Sequence, residues 1–157
     1  MIAMKRYIFA LLLLLPVVAH AEIPAVATLG KEAEKQRDVE YMSVGSFAIG
    51  MASKFADKEQ RATFKMLDNI ELIECKNSSY APQLVERAQA IIEDIGAQFI
   101  VSQDDGKALN ELYGIRKGEV INELIIIIHS HKGGVAVVAM SGEIPISRLA
   151  EIAKIKR

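Results

Sequence analysis

His129-Ser130-His131 is the constellation in this sequence with the spacing of a metal-ligand pair. On a strand, residues two apart project to the same side, so both imidazoles could face one ion. A zinc or copper centre normally needs a third protein ligand, a thiolate, imidazole or carboxylate. Glu143 and Cys75 are the conceivable additions, and nothing in the sequence brings either one alongside. The competing reading is two solvated histidines at the mouth of the Lys132-Gly133-Gly134 turn.

Other reactive-looking motifs reduce to ordinary structure. Asp104-Asp105-Gly106 lacks the alternating oxygen ligands and distant bidentate Glu of a calcium loop, and reads as a hairpin turn. Lys132-Gly133-Gly134 lacks the upstream glycine and downstream hydroxyl of a phosphate cradle. Nucleophilic hydrolysis requires a Ser or Cys beside a His and an orienting acid, and the chain contains no Gly-x-Ser-x-Gly elbow. Cys75 with either histidine would make a dyad on paper, but it ends the strand-like run Ile70-Glu71-Leu72-Ile73-Glu74-Cys75, where a buried thiol is inert. Glu93-Asp94 falls on the polar side of a helix, and Asn77-Ser78-Ser79 reads as a helix cap. The expectation is no catalytic residue and no cofactor, with His129 and His131 as the metal candidates.

The elements that must carry these residues begin after an export signal. Lys5 and Arg6 precede an apolar run over residues 7–18, and Ala19-His20-Ala21 has the small-x-small form that signal peptidase cuts. The run is shorter than the roughly 20 residues that span a bilayer. No cysteine stands at the end of the signal, so bacterial lipid attachment to an N-terminal cysteine is not expected. Removing 21 of the 157 residues leaves a chain with three more acidic than basic residues, since Lys5 and Arg6 depart with the leader. Such a chain lacks the basic footprint of a nucleic-acid binder. The basic group Lys154, Lys156 and Arg157 suits the last turn of a closing helix. With a single cysteine, no intramolecular disulfide is available.

Residues 22–38 read as a lead-in, part linker and part helix, and 39–157 as one domain. A strand over residues 39–44 is followed by a helix opened by Ser46, with Phe47, Met51 and Phe55 on one face. A second helix starts at Asp57, with Phe64 and Leu67 as its apolar side, and residues 70–75 form the next strand. The longest helix follows, its stripe made by Leu84, Ala88, Ile91, Ile92 and Ile95, and Gly96 ends it. Three turn signals then separate four runs into an antiparallel meander. Within it Leu124, Ile125, Ile126, Ile127 and Ile128 are apolar at every position, which marks a strand covered on both faces and the candidate interaction strand. After Pro145, the residues Ile146, Leu149, Ile152 and Ala153 pattern a closing helix.

The stretch NELIIIIHSHKGGVAVVAMSGEIPISRLAEIAK, with VEYMSVGSFAIGMASKF and NIELIEC upstream, resembles domain-of-unknown-function family 4252, small exported bacterial proteins. The similarity runs from Val39 to Lys154 and rests on hydrophobic patterns. It implies an exported α+β domain with no assigned biochemistry and no catalytic residues to transfer. It also implies partners connected with envelope-stress or sigma-factor regulation. This chain departs in placing His129 and His131 where the family turn is acidic or otherwise polar.

The expected architecture is therefore α+β: a mostly antiparallel sheet with a C-terminal meander and helices packed on one face in two layers. The expected role is a non-enzymatic binding or interaction domain, periplasmic or secreted, with an envelope protein or a second copy as partner. The alternative is a small metal-binding factor or enzyme centred on His129 and His131. Nucleic acid and a transmembrane anchor after leader removal are not expected.

Overall fold

The computed structural model describes residues 23–149. The expected leader with Ala19 and Ala21, and the end of the closing helix with Ile152, Ala153 and the basic group, lie outside the described residues. The elements run α1 (Pro24–Ala33), β1 (Val39–Gly45), α2 (Ser46–Ser53), α3 (Lys58–Phe64), β2 (Leu67–Cys75) and α4 (Ala81–Asp94). The meander β3 (Gln98–Asp104), β4 (Ala108–Lys117), β5 (Val120–Ser130) and β6 (Val135–Pro145) follows, then a short 3-10 turn Ile146–Arg148.

The strands form one antiparallel sheet of order β1-β2-β6-β5-β4-β3. The chain leaves β2, crosses a sheet face through α4 and starts the meander at the far edge. The meander then works back until β6 pairs with β2 and closes the gap. Gly106, Gly118 and Gly133 take positive φ in its three hairpin turns, which is the conformation those turn signals require. The molecule is α+β.

One face carries the main helical layer. The α4 stripe buries Leu84, Ala88 and Ile92, packed in one core with Val26, Leu29 and Ala33 of α1 and with Ile73, Ile125, Ile127 and Val137 from the strands. Each fully buried aliphatic side chain of this kind stabilises the fold by about 1.5–3 kcal/mol. Asn77 caps the approach to α4, its Oδ1 accepting the backbone N–H groups of Ser79 and Tyr80. Gly96, at φ +76°, ends the helix as expected. Arg87 of α4 holds Glu32 of α1 at 2.5 Å, and that hydrogen bond raises the guanidinium above its ordinary value.

The second face carries a separate core: Leu124, Ile126, Val138, Met140, Ile121 and Ile144, closed at one end by Ile49 of α2, Phe64 of α3, Leu67 and the segment after β6. β5 is thus buried on both sides, with Leu124, Ile125, Ile126 and Ile127 each at 1% exposure or less, as its unbroken apolar run implied.

Two details differ from expectation. Met51 and Phe55 are exposed, at 45% and 88%, whereas Ile49 is buried; the side chain of Phe47 lies outside the described residues. α2 begins directly after β1 and ends at Ser53, so it has no turn left to place Phe55. Leu67 belongs to β2 rather than to the helix before it, and the irregularity between Leu67 and Asn69 turns Leu67 to the second face. A one-residue bulge does this because side chains alternate with period two.

Candidate functional site

Three polar or concave regions offer chemistry, and the strand register decides what each contains. The first holds the histidines. His129 of β5 and His131 just after it lie on the helix-bearing face, each aimed at its own carboxylate. His129 Nε2 is 2.6 Å from Glu111 Oε1 of β4, and His131 Nε2 is 3.0 Å from Asp104 Oδ1 of β3. The Tyr113 hydroxyl donates to Glu111 at 3.2 Å and its ring meets Phe99 edge-on. Burial, reinforced by Glu111, raises the Tyr113 phenol above its ordinary value. The hydrogen bond from His131, followed by that from the Gly106 N–H, lowers Asp104.

The conceivable third ligands stand elsewhere. Cys75 shares a cross-sheet row with His129, but Val135 of β6 intervenes, which at two strand spacings is about 10 Å. Its thiol is 1% exposed and donates to the Asn77 carbonyl at 3.3 Å. Glu143 lies toward the other end of β6, about 26 Å along the strand from the position opposite His129. Among the described residues, no group of three His, Cys, Asp or Glu is placed to hold a metal ion. What the arrangement provides chemically is two oriented imidazole–carboxylate pairs tying the β3–β4 and β5–β6 ends together.

The second region went unread in the sequence. Glu71, fully buried, accepts hydrogen bonds from the Tyr41 hydroxyl, from Ser43 Oγ at 2.9 Å and from Asn69 Nδ2 at 2.9 Å. α1 lies against this cluster because Gly30 has no Cβ; one built there would overlap the Tyr41 ring. Among the described residues no buried side-chain nitrogen or oxygen lacks a partner, so the cluster is closed. The run Ile70-Glu71-Leu72-Ile73-Glu74-Cys75 shows a strand, but not that one of its acids turns inward.

The third region is a groove of about 900 Å³ on the second face. Pairing places one apolar residue from every strand in a single row: Met42, Leu72, Val138, Ile126, Leu112 and Val101. The row is buried in the middle and open at its ends, where Met42 and Val101 are 54% and 43% exposed. Ile70, Leu72, Ile128, Val138 and Met140 line the groove itself. The expected interaction strand therefore contributes Ile128 directly, with Leu124 and Ile126 in the core beneath and Ile125 and Ile127 on the opposite face. At the turn end of the groove stand Lys76, Lys107 and Lys132, residues that sequence spacing did not group. Their common signal is position: each adjoins a strand end on the same side of the sheet.

Residues 33–152 match the family described as a domain of unknown function, DUF4252. The chain belongs to that family. Neither a curated protein nor a solved structure matches this DUF4252 chain. Among the described residues, no helix of the DUF4252 domain is long and apolar enough to cross a membrane.

Proposed function

We propose that this DUF4252 chain is an exported, non-enzymatic binding domain of the cell envelope, and that its working surface is the apolar groove on the second sheet face. The observation that supports the reading is the groove itself: about 900 Å³, within the range of small-molecule sites, with an aliphatic floor built into the sheet. Apolar surface left concave and open on a folded domain gains free energy when an apolar occupant displaces its water. The leader pattern at Lys5, Arg6, Ala19 and Ala21 supports the exported location.

The test is titration of the processed protein with an uncharged solvatochromic dye. Saturable one-to-one fluorescence enhancement is expected, together with its weakening in Ala136→Trp, since Ala136 lines the groove and an indole there obstructs it. Absent saturation, or equal enhancement in the obstructed variant, the reading fails. Sequencing the protein recovered from the periplasm should give Glu22 as its first residue; an intact N-terminus in the cytosolic fraction would remove the exported location.

A further inference from the structure

The groove's two ends differ, and the difference specifies a ligand class. This step rests on the groove reading above. At one end the floor, at Ile70 and Met140, meets the apolar core that holds Ile49, Phe64, Leu67 and Ile144. At the other end the wall is formed by the end of β2, the start of β4 and the β5–β6 turn, which contribute Lys76, Lys107 and Lys132. Lys76 leans on Glu74 at 3.9 Å. Among the described residues neither Lys107 nor Lys132 has a carboxylate within ion-pair distance. Asp104 and Asp105 of the adjoining turn are not among the residues that line the groove; Asp104 pairs with His131, and Asp105 Oδ1 accepts the backbone N–H groups of Lys107 and Ala108. Glu74 does line this end and offsets Lys76, so Lys107 and Lys132 leave one mouth of the apolar trough positive.

The floor excludes several occupants. β2, β6 and β5 are interior strands whose backbone groups are consumed by neighbours on both sides, so an extended peptide finds no ladder to join. Glu74, Ser78 and Ser130 line only the lysine end, and over the rest of the floor Ile70, Leu72, Ile128, Val138 and Met140 offer no hydrogen-bonding side chain to a sugar or a base. A second copy docked about a two-fold axis along the groove would bring its own lysines to the same mouth, where like charges repel. The buried length of the occupant must be hydrocarbon, and its exposed end must be anionic. With no arginine in the lining there is no planar fork to hold a phosphate bidentately, and two ammonium point charges are enough for a compact carboxylate. From the level of Gly134, at the lysine end, to Met140 is about 20 Å of strand, enough for one extended acyl chain.

We infer that the groove binds a free long-chain fatty acid, chain along Val138 and Met140 and carboxylate between Lys107 and Lys132.

The experiment displaces the neutral dye from the processed protein with oleate, methyl oleate and vesicles of anionic phospholipid, in wild type and in Lys107→Gln/Lys132→Gln. Both lysines sit in exposed turns, so the double variant keeps its fold. Oleate should displace the dye one-to-one, and methyl oleate should be about tenfold weaker. The double variant should weaken oleate by about tenfold while leaving methyl oleate unchanged. Equal affinity for acid and ester, or oleate binding indifferent to the lysines, overturns the fatty-acid inference and leaves the groove reading standing. Displacement by the phospholipid vesicles below the oleate concentration also overturns it, in favour of a lipid surface. If the dye itself never binds, the groove reading is what has failed.

Discussion

Replacing Gly30 by alanine sets two opposed effects against each other at one residue. Gly30 is buried inside α1, where Gly→Ala normally stabilises a helix by about 1 kcal/mol. Here the added methyl would overlap Cδ1, Cε1 and Cγ of Tyr41. Relief requires the ring to move, which costs about 1–3 kcal/mol as overpacking. Movement also loosens the Tyr41 hydroxyl from Glu71, a buried carboxyl group, and a bond of that kind is worth about 1–3 kcal/mol. The costs exceed the propensity gain, and the net expectation is destabilisation by about 3 kcal/mol. Urea denaturation should show the midpoint of Gly30→Ala falling by about 1–2 M with unchanged slope. The mechanism is checked by repeating the substitution in a Tyr41→Ala background, where the ring is gone and the change should cost less than about 1 kcal/mol. A raised midpoint in the wild-type background, or an equal cost in both, would refute the reasoning.

Three further outcomes follow from the same geometry. Asp104 is held below its ordinary value in the folded protein, so its pairing stabilises the fold above the unfolded carboxylate range and is lost as pH falls through the lowered folded value. The melting-temperature difference between wild type and Asp104→Asn should shrink as pH falls below the unfolded carboxylate range, and a difference undiminished by acidification contradicts the assignment. Zinc titration by calorimetry should show no binding that depends on the histidines, because Glu111 and Asp104 direct the two imidazoles to separate partners; tight binding lost in His129→Ala/His131→Ala would contradict this. Leu84→Ala should cost about 3–4 kcal/mol by denaturation, since Leu84 is fully buried between α4 and the sheet, and a cost under about 1 kcal/mol would deny that packing.

The fold was legible where a local signal carried it. The five apolar positions of β5 announced a strand covered twice, and the three glycine turns announced the meander. Asn77, Pro82 and Gly96 bracketed α4 to within a few residues, since caps and φ restrictions act within a turn of the chain. The every-fourth-residue spacing of Met51 and Phe55 runs on past Ser53, where the helix ends, and so does not mark the buried face of α2, on which Ile49 lies. The three regions that bear on function depend on register between distant strands. Glu111 and Asp104 meet the histidines across 18 and 27 residues of sequence, and Tyr41 reaches Glu71 across 30. Lys76, Lys107 and Lys132 become one feature only once β6 inserts between β2 and β5. Spacing along a chain carries no information about such neighbours until the sheet order is known.

The central claim concerns which sheet face receives a ligand, and methyl chemical shifts read that directly. On titration with the uncharged dye, the methyl resonances of Ile70, Leu72, Ile128, Val138 and Met140 should shift together and saturate at one equivalent. Those of Ile73, Leu84, Ile125 and Ile127, which face α1 and α4, should stay in place. Shifts confined to the helix-bearing face, or none anywhere, would contradict the account.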